Sequence, residues 1–175
     1  MAKQQIKRFK KFPEIPGMDK ELDIIIRQIL DQVGSSDAAY GELYSYADAA
    51  ITVTISVAST YYQATGFQKG LGNKFELSTK DLRSKEAGYY AVNVAVSFTH
   101  DTNNTICHCS LFINDVENEK LETERKIGTA GDYGAMSFTG LIALKASDKI
   151  DVRFKADKTG TITINHINFN LVEIL

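Results

Sequence analysis

The stretch GYYAVNVAVSF at residues 88–98 decides the fold, because its side chains alternate with the period of two that belongs to a β-strand. One face collects the large apolar side chains and is predicted to be buried; it consists of Tyr90, Val92, Val94, Val96 and Phe98. The other face collects small or uncharged side chains: Tyr89, Ala91, Asn93, Ala95 and Ser97. A strand face that is exposed to water usually carries polar or charged side chains. This face is therefore expected to lie under another subunit or under a loop of the same chain.

The C-terminal strand, residues 160–174, has a similar outer face. Its apolar positions shift from even to odd numbers near Asn165, which predicts a β-bulge or a change of the buried face. Beyond that point His166, Asn168 and Asn170 share the side opposite the core. We therefore predict one continuous subunit interface, made by Tyr89, Ala91, Asn93, Ala95, His166, Asn168 and Asn170. In residues 149–156, by contrast, Asp151, Arg153 and Lys155 indicate a wet face, as do the many Glu and Lys residues of 116–126.

His166 suggests a pH-dependent assembly. Histidine gains a proton in mild acid, so three copies at a common interface would repel one another and loosen the assembly. The alternative is a neutral histidine that is hydrogen-bonded within one subunit.

The sequence pattern predicts β-structure for the whole region from Tyr40 onwards. We expect ten strands, near 41–46, 51–57, 60–64, 73–77, 88–99, 105–113, 118–127, 135–145, 149–156 and 160–174. Turn-forming residues separate them, among them Gly70 and Gly72. Regularly spaced strands without an internal helix predict an all-β antiparallel sandwich or barrel. Cys107 and Cys109 are two apart on one strand, which predicts reduced thiols that face the core.

Residues 18–34 contain the one convincing helix. Its apolar residues Leu22, Ile26, Ile29 and Val33 have the 4-3-4 spacing of a coiled-coil seam, and isoleucine at these positions favours three or more strands. A helix this short is marginal alone in water. It therefore buries its apolar stripe either against copies of itself, as a trimer-forming helix, or on its own domain.

The N-terminal residues 1–17 differ in charge from the rest. They carry Lys3, Lys7, Arg8, Lys10 and Lys11 against Glu14 alone, whereas the whole chain has a net charge of −2. This pattern predicts either a basic, extended anchoring arm or a solvated tail. No segment approaches the roughly 20 apolar residues that cross a bilayer, and the arm lacks the apolar centre of a signal peptide. We expect synthesis in a reducing cytoplasm and no membrane partner.

The β region resembles complement-type globular heads of the tumour necrosis factor-like superfamily. Residues 74–77 followed by 88–92 resemble the family's "F…G-x-Y-x-(apolar)" signature. Residues 110–114 resemble its strand before an Asn-Gly turn, with Asp115 in place of the glycine. Residues 141–144 with 147–152 resemble its "L-x-x-G-D-x-V" unit, with Ser147 in place of the glycine, and 167–175 resemble the closing strand. The resemblance covers residues 40–175.

This resemblance implies a ten-strand jelly roll that forms a tight homotrimer, with the first, last and Gly-x-Tyr strands in the sheet around the threefold axis. Members of the family include secreted vertebrate heads, bacterial spore-surface proteins and phage virion proteins. The basic arm, short helix and head domain are most similar to the last group. We therefore expect a non-enzymatic protein of a bacteriophage virion: a head fibre, capsid decoration or fibre head that contacts the capsid through its arm and presents its loops to a host-surface glycan or protein. The alternative is a cellular trimeric adhesin or spore-surface binding module.

Catalytic and cofactor motifs are lacking. The histidines are scattered, and a strand would point His108 away from the thiols of Cys107 and Cys109, which disfavours zinc. Loop aspartates offer a weak case for calcium but are more often turn-formers. We therefore expect no enzyme activity, no cofactor, no bound metal and no nucleic-acid partner.

Overall fold

The computed structural model describes residues 38–174, which form twelve β-strands and one 3₁₀ turn, Ala47–Ala49. The predicted arm 1–17 and helix 18–34 lie outside the described residues. The strands are β1 Tyr40–Ser45, β2 Ile51–Ile55, β3 Tyr62–Gln63, β4 Gln68–Asn73, β5 Phe75–Leu77, β6 Leu82–Ser84, β7 Gly88–His100, β8 Thr105–Ile113, β9 Val116–Ile127, β10 Gly134–Leu144, β11 Lys149–Ala156 and β12 Gly160–Glu173.

The strands form two six-stranded antiparallel sheets. Sheet A has the order β10-β7-β12-β1-β4, and β2 pairs with the first part of β12. Sheet B has the order β5-β6-β11-β8-β9, and β3 pairs with β11. The predicted all-β, antiparallel class is thus confirmed. The predicted number of ten strands is wrong, because β4 and β6 are additional to the ten.

The sequences of the two additional strands, β4 and β6, do not show the alternating pattern by which the other strands were predicted. Strand β4 contains Gly70 and Gly72, residues that the sequence pattern assigns to a turn. Gly72 instead allows close packing, since a Cβ there would lie 2.8 Å from Cδ1 of Leu77. Strand β6 has only three residues, too few for a period of two to be visible, yet it pairs with both β5 and β11.

The core lies between the sheets and is built from the alternation in each long strand. On β7, Tyr90, Val92, Val94 and Phe98 are completely buried. Facing residues of sheet B, including Val152 and Phe154, are buried as well. Each such side chain contributes roughly 1.5–3 kcal/mol when it leaves water. The thiols of Cys107 and Cys109 belong to the same core and form no disulfide, as predicted.

A β-bulge in β12 keeps both halves of that long strand in the core. The register between β12 and β7 shifts between Ile164 and His166, at the position where the sequence changes parity. Ile162 and Ile164 before the shift and Phe169 after it are all completely buried. The bulge predicted near Asn165 is confirmed, and it turns His166 to the outer side of sheet A.

Strand β11 does not have the wet face that its charges suggested. Asp151 is completely buried, and its carboxylate accepts a hydrogen bond of 2.6 Å from Nε of Arg153. The guanidinium of Arg153 also lies over the ring of Phe112, 4.3 Å from its centre. These charges pair with one another along the outer face of sheet B instead of facing solvent.

Candidate interaction surface on sheet A

The residues predicted to form the interface lie together on the outer face of sheet A. Strands β7 and β12 are neighbours, and their register places Ala95 opposite Asn168 and Asn93 opposite Asn170. Tyr89 and Ala91 continue the same face of β7, and His166 continues that of β12. That these side chains contact another subunit stays a prediction.

The face is wider than the sequence indicated, because β10 and β1 extend it on either side. Register pairs Thr139 of β10 with Asn93, and Glu42 of β1 with Asn170. We call the resulting surface, four strands wide, the A face. Its side chains are Ala135, Ser137, Thr139, Leu141 and Ala143 of β10, Tyr89, Ala91, Asn93, Ala95 and Ser97 of β7, His166, Asn168, Asn170 and Val172 of β12, and Tyr40, Glu42 and Tyr44 of β1.

Large apolar groups lie at one end of the A face. Leu141 is 74% exposed, Tyr89 is 70% exposed and Val172 is 46% exposed. Register aligns Leu141, Ala91 and Val172 across three strands, with Tyr40 next in the row. Clustered exposed apolar side chains of this kind mark interaction surfaces. Sequence reasoning missed Leu141, Val172 and Tyr40, although the uncharged alternation of residues 135–143 was a usable signal.

The centre of the A face is a short ladder of polar side chains. The amide of Asn170 donates to Oδ1 of Asn168 at 2.5 Å, and the amide of Asn168 donates to Oε1 of Glu42 at 2.7 Å. The backbone N–H of Leu71 approaches the second oxygen of Glu42 at 3.4 Å. Glu42 is the one carboxylate of the A face, and both of its oxygens accept hydrogen bonds from its own subunit.

The other end of the A face forms an open depression of about 850 Å³. Glu42, Tyr44, Ser97, Ser137 and His166 are among the residues that line it. His166 is exposed, and its side chain forms no hydrogen bond or ion pair within residues 38–174. The alternative of a histidine hydrogen-bonded inside one subunit is therefore not what the described residues show.

The outer face of sheet B has the opposite character, because its own charged groups are joined to one another. Glu122 accepts from the hydroxyl of Tyr61 at 2.7 Å and contacts Nδ1 of His108 at 2.9 Å and Nζ of Lys155 at 3.1 Å. Burial raises the pKa of Glu122, but the hydrogen bonds from Tyr61 and Lys155 lower it, and the lowering prevails. Burial and the bond to Glu122 raise the pKa of Tyr61.

Four aromatic residues of the loops and short strands, Tyr61, Tyr62, Phe67 and Tyr133, differ in their exposure to solvent. Tyr61 packs edge-on against Phe112, with ring centres 5.1 Å apart, and Phe67 is only 3% exposed. The hydroxyl of Tyr62 accepts a hydrogen bond from the backbone of Val57. Of these four aromatic residues, Tyr133 is the one that is largely exposed, at 74%.

Metal-binding geometry is not found in residues 38–174, where no group of three or more His, Cys, Asp or Glu side chains could hold an ion. The loop carboxylate of Asp148 instead accepts from the amide of Asn114 at 2.8 Å and from the backbone of Lys145 at 2.7 Å. Within the same residues, no helix has the length and apolar character needed to cross a bilayer.

The two packed sheets share their fold with jelly-roll proteins of known structure from the tumour necrosis factor group. The chain is similar in structure to Eiger TNF from S. frugiperda, with a TM-score of 0.59 and 10% sequence identity over 79% of this chain and 93% of that chain. It is also similar to murine APRIL, solved at pH 5.0, with a TM-score of 0.53 and 16% identity over 79% of this chain and all of that one. No protein-family model matches the sequence, and no curated protein is similar to it in sequence. Identities this low show a shared fold alone.

Proposed function

We propose that the protein is a non-enzymatic, homotrimeric structural and binding protein on the surface of a bacteriophage particle, in the manner of a head fibre, capsid decoration or fibre head. The observation that carries the self-association is the A face, which spans four strands and contains one carboxylate, Glu42, already hydrogen-bonded within its subunit. The placement on a virion rests on the sequence of the N-terminal region.

A second copy of the chain is the partner that suits the A face best. Identical subunits bring identical charges together, and the desolvation of an unpaired charge costs several kcal/mol. The A face keeps this cost low, since it has no Lys or Arg and its one carboxylate, Glu42, is hydrogen-bonded within its own subunit. Its small side chains, such as Ala91 and Ala95, allow close approach. The exposed Leu141 and Val172 supply apolar area that is removed from water on association.

Three copies, rather than two, are favoured by two features of the sequence. The heptad-like isoleucines of residues 18–34 favour three or more strands. The family that the β region resembles also forms trimers around the sheet that corresponds to sheet A. Three equivalent heads would present each exposed loop three times, so that weak individual contacts add up through avidity.

Attachment to a particle is assigned to the basic residues 1–17. Lys3, Lys7, Arg8, Lys10 and Lys11 would bind an acidic or grooved surface of a capsid or other virion protein. The head would then project outward and cover the capsid or contact a host-surface glycan or protein.

Self-association through the A face is tested with Ala95→Arg. Ala95 is exposed, so the subunit itself has room for the larger side chain, whereas three added guanidinium groups would separate the copies. The matched control is Val116→Arg on sheet B, where Val116 is 68% exposed. Sedimentation at micromolar concentration should show a trimer for the wild type and the control, and a folded monomer for Ala95→Arg. A stable, non-aggregating wild-type monomer would overturn the proposal.

Deletion of residues 1–17 tests whether the protein is part of a virus particle. For a virion protein, the truncated chain should still sediment as a trimer but fail to be incorporated into particles. A cellular adhesin or spore-surface module, the competing function, would retain its binding after the deletion. Retained incorporation into particles would refute the anchoring role of the arm.

A further inference from the structure

His100 lies at the end of β7, where three loops meet at one end of the sandwich. These loops are residues 101–104, 128–133 and 157–159. The backbone carbonyl of His100 accepts from the N–H of Gly131 at 2.8 Å, and β12 begins beside it, with Ile162 directly opposite His100 in the register. Changes at this histidine therefore reach all three loops.

The three loops are held together mainly by residues that follow His100. Asp101 accepts the backbone N–H of Thr161 at 2.9 Å. Asn103 accepts the backbone N–H of Ala130 through its side chain at 2.6 Å, and its own carbonyl accepts from Nζ of Lys158 at 2.8 Å. The conformation of residues 101–103 thus decides whether the loops stay joined.

The ring of His100 is sealed inside this junction in one protonation state. The side chain is fully buried, and its Nδ1 accepts the backbone N–H of Thr102 at 3.0 Å. The ring proton must therefore reside on Nε2, which is buried and has no hydrogen-bond partner among the described residues. Gly160 lies directly against the ring: a Cβ at that position would be 2.7 Å from Cε1 of His100.

Protonation of the ring is incompatible with this arrangement. A proton on Nδ1 would point at the N–H of Thr102, which would lose its acceptor, and the positive charge would be buried. The carboxylate of Asp101, 3.5 Å from Nδ1, and that of Asp157 favour the charge, whereas Lys158 opposes it. Burial is the largest effect, and it lowers the pKa of His100 below the ordinary range.

We infer that His100 is an acid-sensitive latch, whose neutral ring holds the three loops closed and whose protonation releases them. In the open state the ring of His100 contacts water and is protonated as easily as a histidine in a peptide. In the closed state burial disfavours protonation of the same ring. The hydrogen bond from Thr161 lowers the pKa of Asp101, so that this carboxylate stays ionised through the same pH range. The latch acts within one subunit and does not depend on the proposed trimer.

The sign and size of the effect follow from proton linkage. Because the open state binds the proton and the closed state does not, acid favours opening once the pH falls below about 6.5, and neutral pH leaves opening unaffected. Between pH 7.5 and pH 5.0, the open population should rise by up to about thirtyfold.

Amide hydrogen exchange measured at both pH values tests the latch. Protection factors should fall by that amount at Thr102, Asn104, Gly131 and Thr161, while the amides of β7 and β8 in the core stay protected. His100→Asn retains an acceptor for the N–H of Thr102 but cannot be protonated, so it should abolish the pH dependence. His166→Asn is the matched control and should leave it intact.

The wild type alone also decides the question by NMR titration of its histidine ring protons. The latch requires that His100 stays neutral at pH 6 and that its titration coincides with the loss of loop protection. A His100 ring that titrates in the ordinary range while the loops remain protected would overturn the inference. Sedimentation of the same samples separates this result from any change in oligomeric state.

Discussion

Asn168 on β12 donates a hydrogen bond of 2.7 Å to Glu42 on β1, the one carboxylate of the A face. The two residues are diagonal neighbours, since register places Tyr44 opposite Asn168 and Asn170 opposite Glu42. The bond turns the charge toward its own subunit. A surface intended for solvent gains little from such an arrangement, because water would satisfy the carboxylate equally well.

Neutralising Glu42 should therefore strengthen self-association. Glu42→Gln retains an oxygen that accepts from Asn168 and loses only the long contact of 3.4 Å with the N–H of Leu71. It removes the charge that must lose water at an interface. We expect the dissociation constant measured by sedimentation equilibrium to fall about fivefold, which corresponds to roughly 1 kcal/mol. Glu119→Gln on β9, exposed on the other sheet, should have no effect. Weaker association of Glu42→Gln would argue that the carboxylate binds a partner group.

The two cysteines should be unreactive in the folded protein. Burial raises the pKa of Cys107 to about 12 and also raises that of Cys109, so few thiolates form near pH 8. Both side chains are completely buried in the core. Labelling with a thiol-reactive disulfide reagent should be slow in buffer and should rise with urea along the unfolding transition followed by circular dichroism. Rapid labelling of either thiol in buffer would contradict the packing of β8.

Much of the A face follows from the alternation of side chains within single strands. The outer residues of β7 and the parity change near Asn165 are visible in the sequence, and together they identify the outer surface of two strands. Leu141 and Val172 could not be assigned to it, because the pattern within a strand does not tell which strands are neighbours. Strand order depends on contacts distant in sequence, such as the pairing of Leu141 with Ala91.

The parts that the sequence predicts wrongly have a different cause. Asp151 occupies a position in the alternating pattern that predicts exposure to solvent. The pattern shows to which face of the sheet a side chain points, but not whether other side chains cover it there. In this case Arg153, two residues along the same strand, pairs with Asp151. Gly70 and Gly72 have the character of turn residues, although in β4 they allow side chains of β1 and β5 to approach. Glycine therefore marks close approach as well as turns in this fold.

Two turns in which the sequence departs from the family resemblance offer a matched pair of stability tests. Ser147 has a φ of 74° and Asp115 a φ of 66°, a region that disfavours residues other than glycine. Ser147→Gly should relieve this strain and stabilise the fold by about 0.5–1 kcal/mol in urea denaturation, after allowance for the freedom of glycine in the unfolded chain.

Asp115→Gly relieves a similar strain but should give a smaller gain or a loss. The carboxylate of Asp115 pairs with Arg153 and lies 3.8 Å from Nζ of Lys149, contacts that glycine cannot make. The bond with Arg153 lowers the pKa of Asp115, so the carboxylate is charged at neutral pH. Equal stabilisation by both substitutions would show that these ion pairs contribute nothing.

We predict that His166 makes the proposed trimer, as distinct from the single subunit, sensitive to acid. It is exposed in the depression of the A face, and Glu42, the carboxylate nearby, already accepts hydrogen bonds from Asn168 and Leu71. Protonation of His166 in three copies would place three added charges in a face that has no Lys or Arg. The trimer should dissociate at lower pH in sedimentation experiments, and His166→Asn should keep it intact at pH 5.

His100→Asn, which removes only the latch within each subunit, should dissociate like the wild type. A wild-type sedimentation profile unchanged from neutral pH to pH 5 would remove His166 from the interface or leave it unprotonated there, and either result contradicts the prediction.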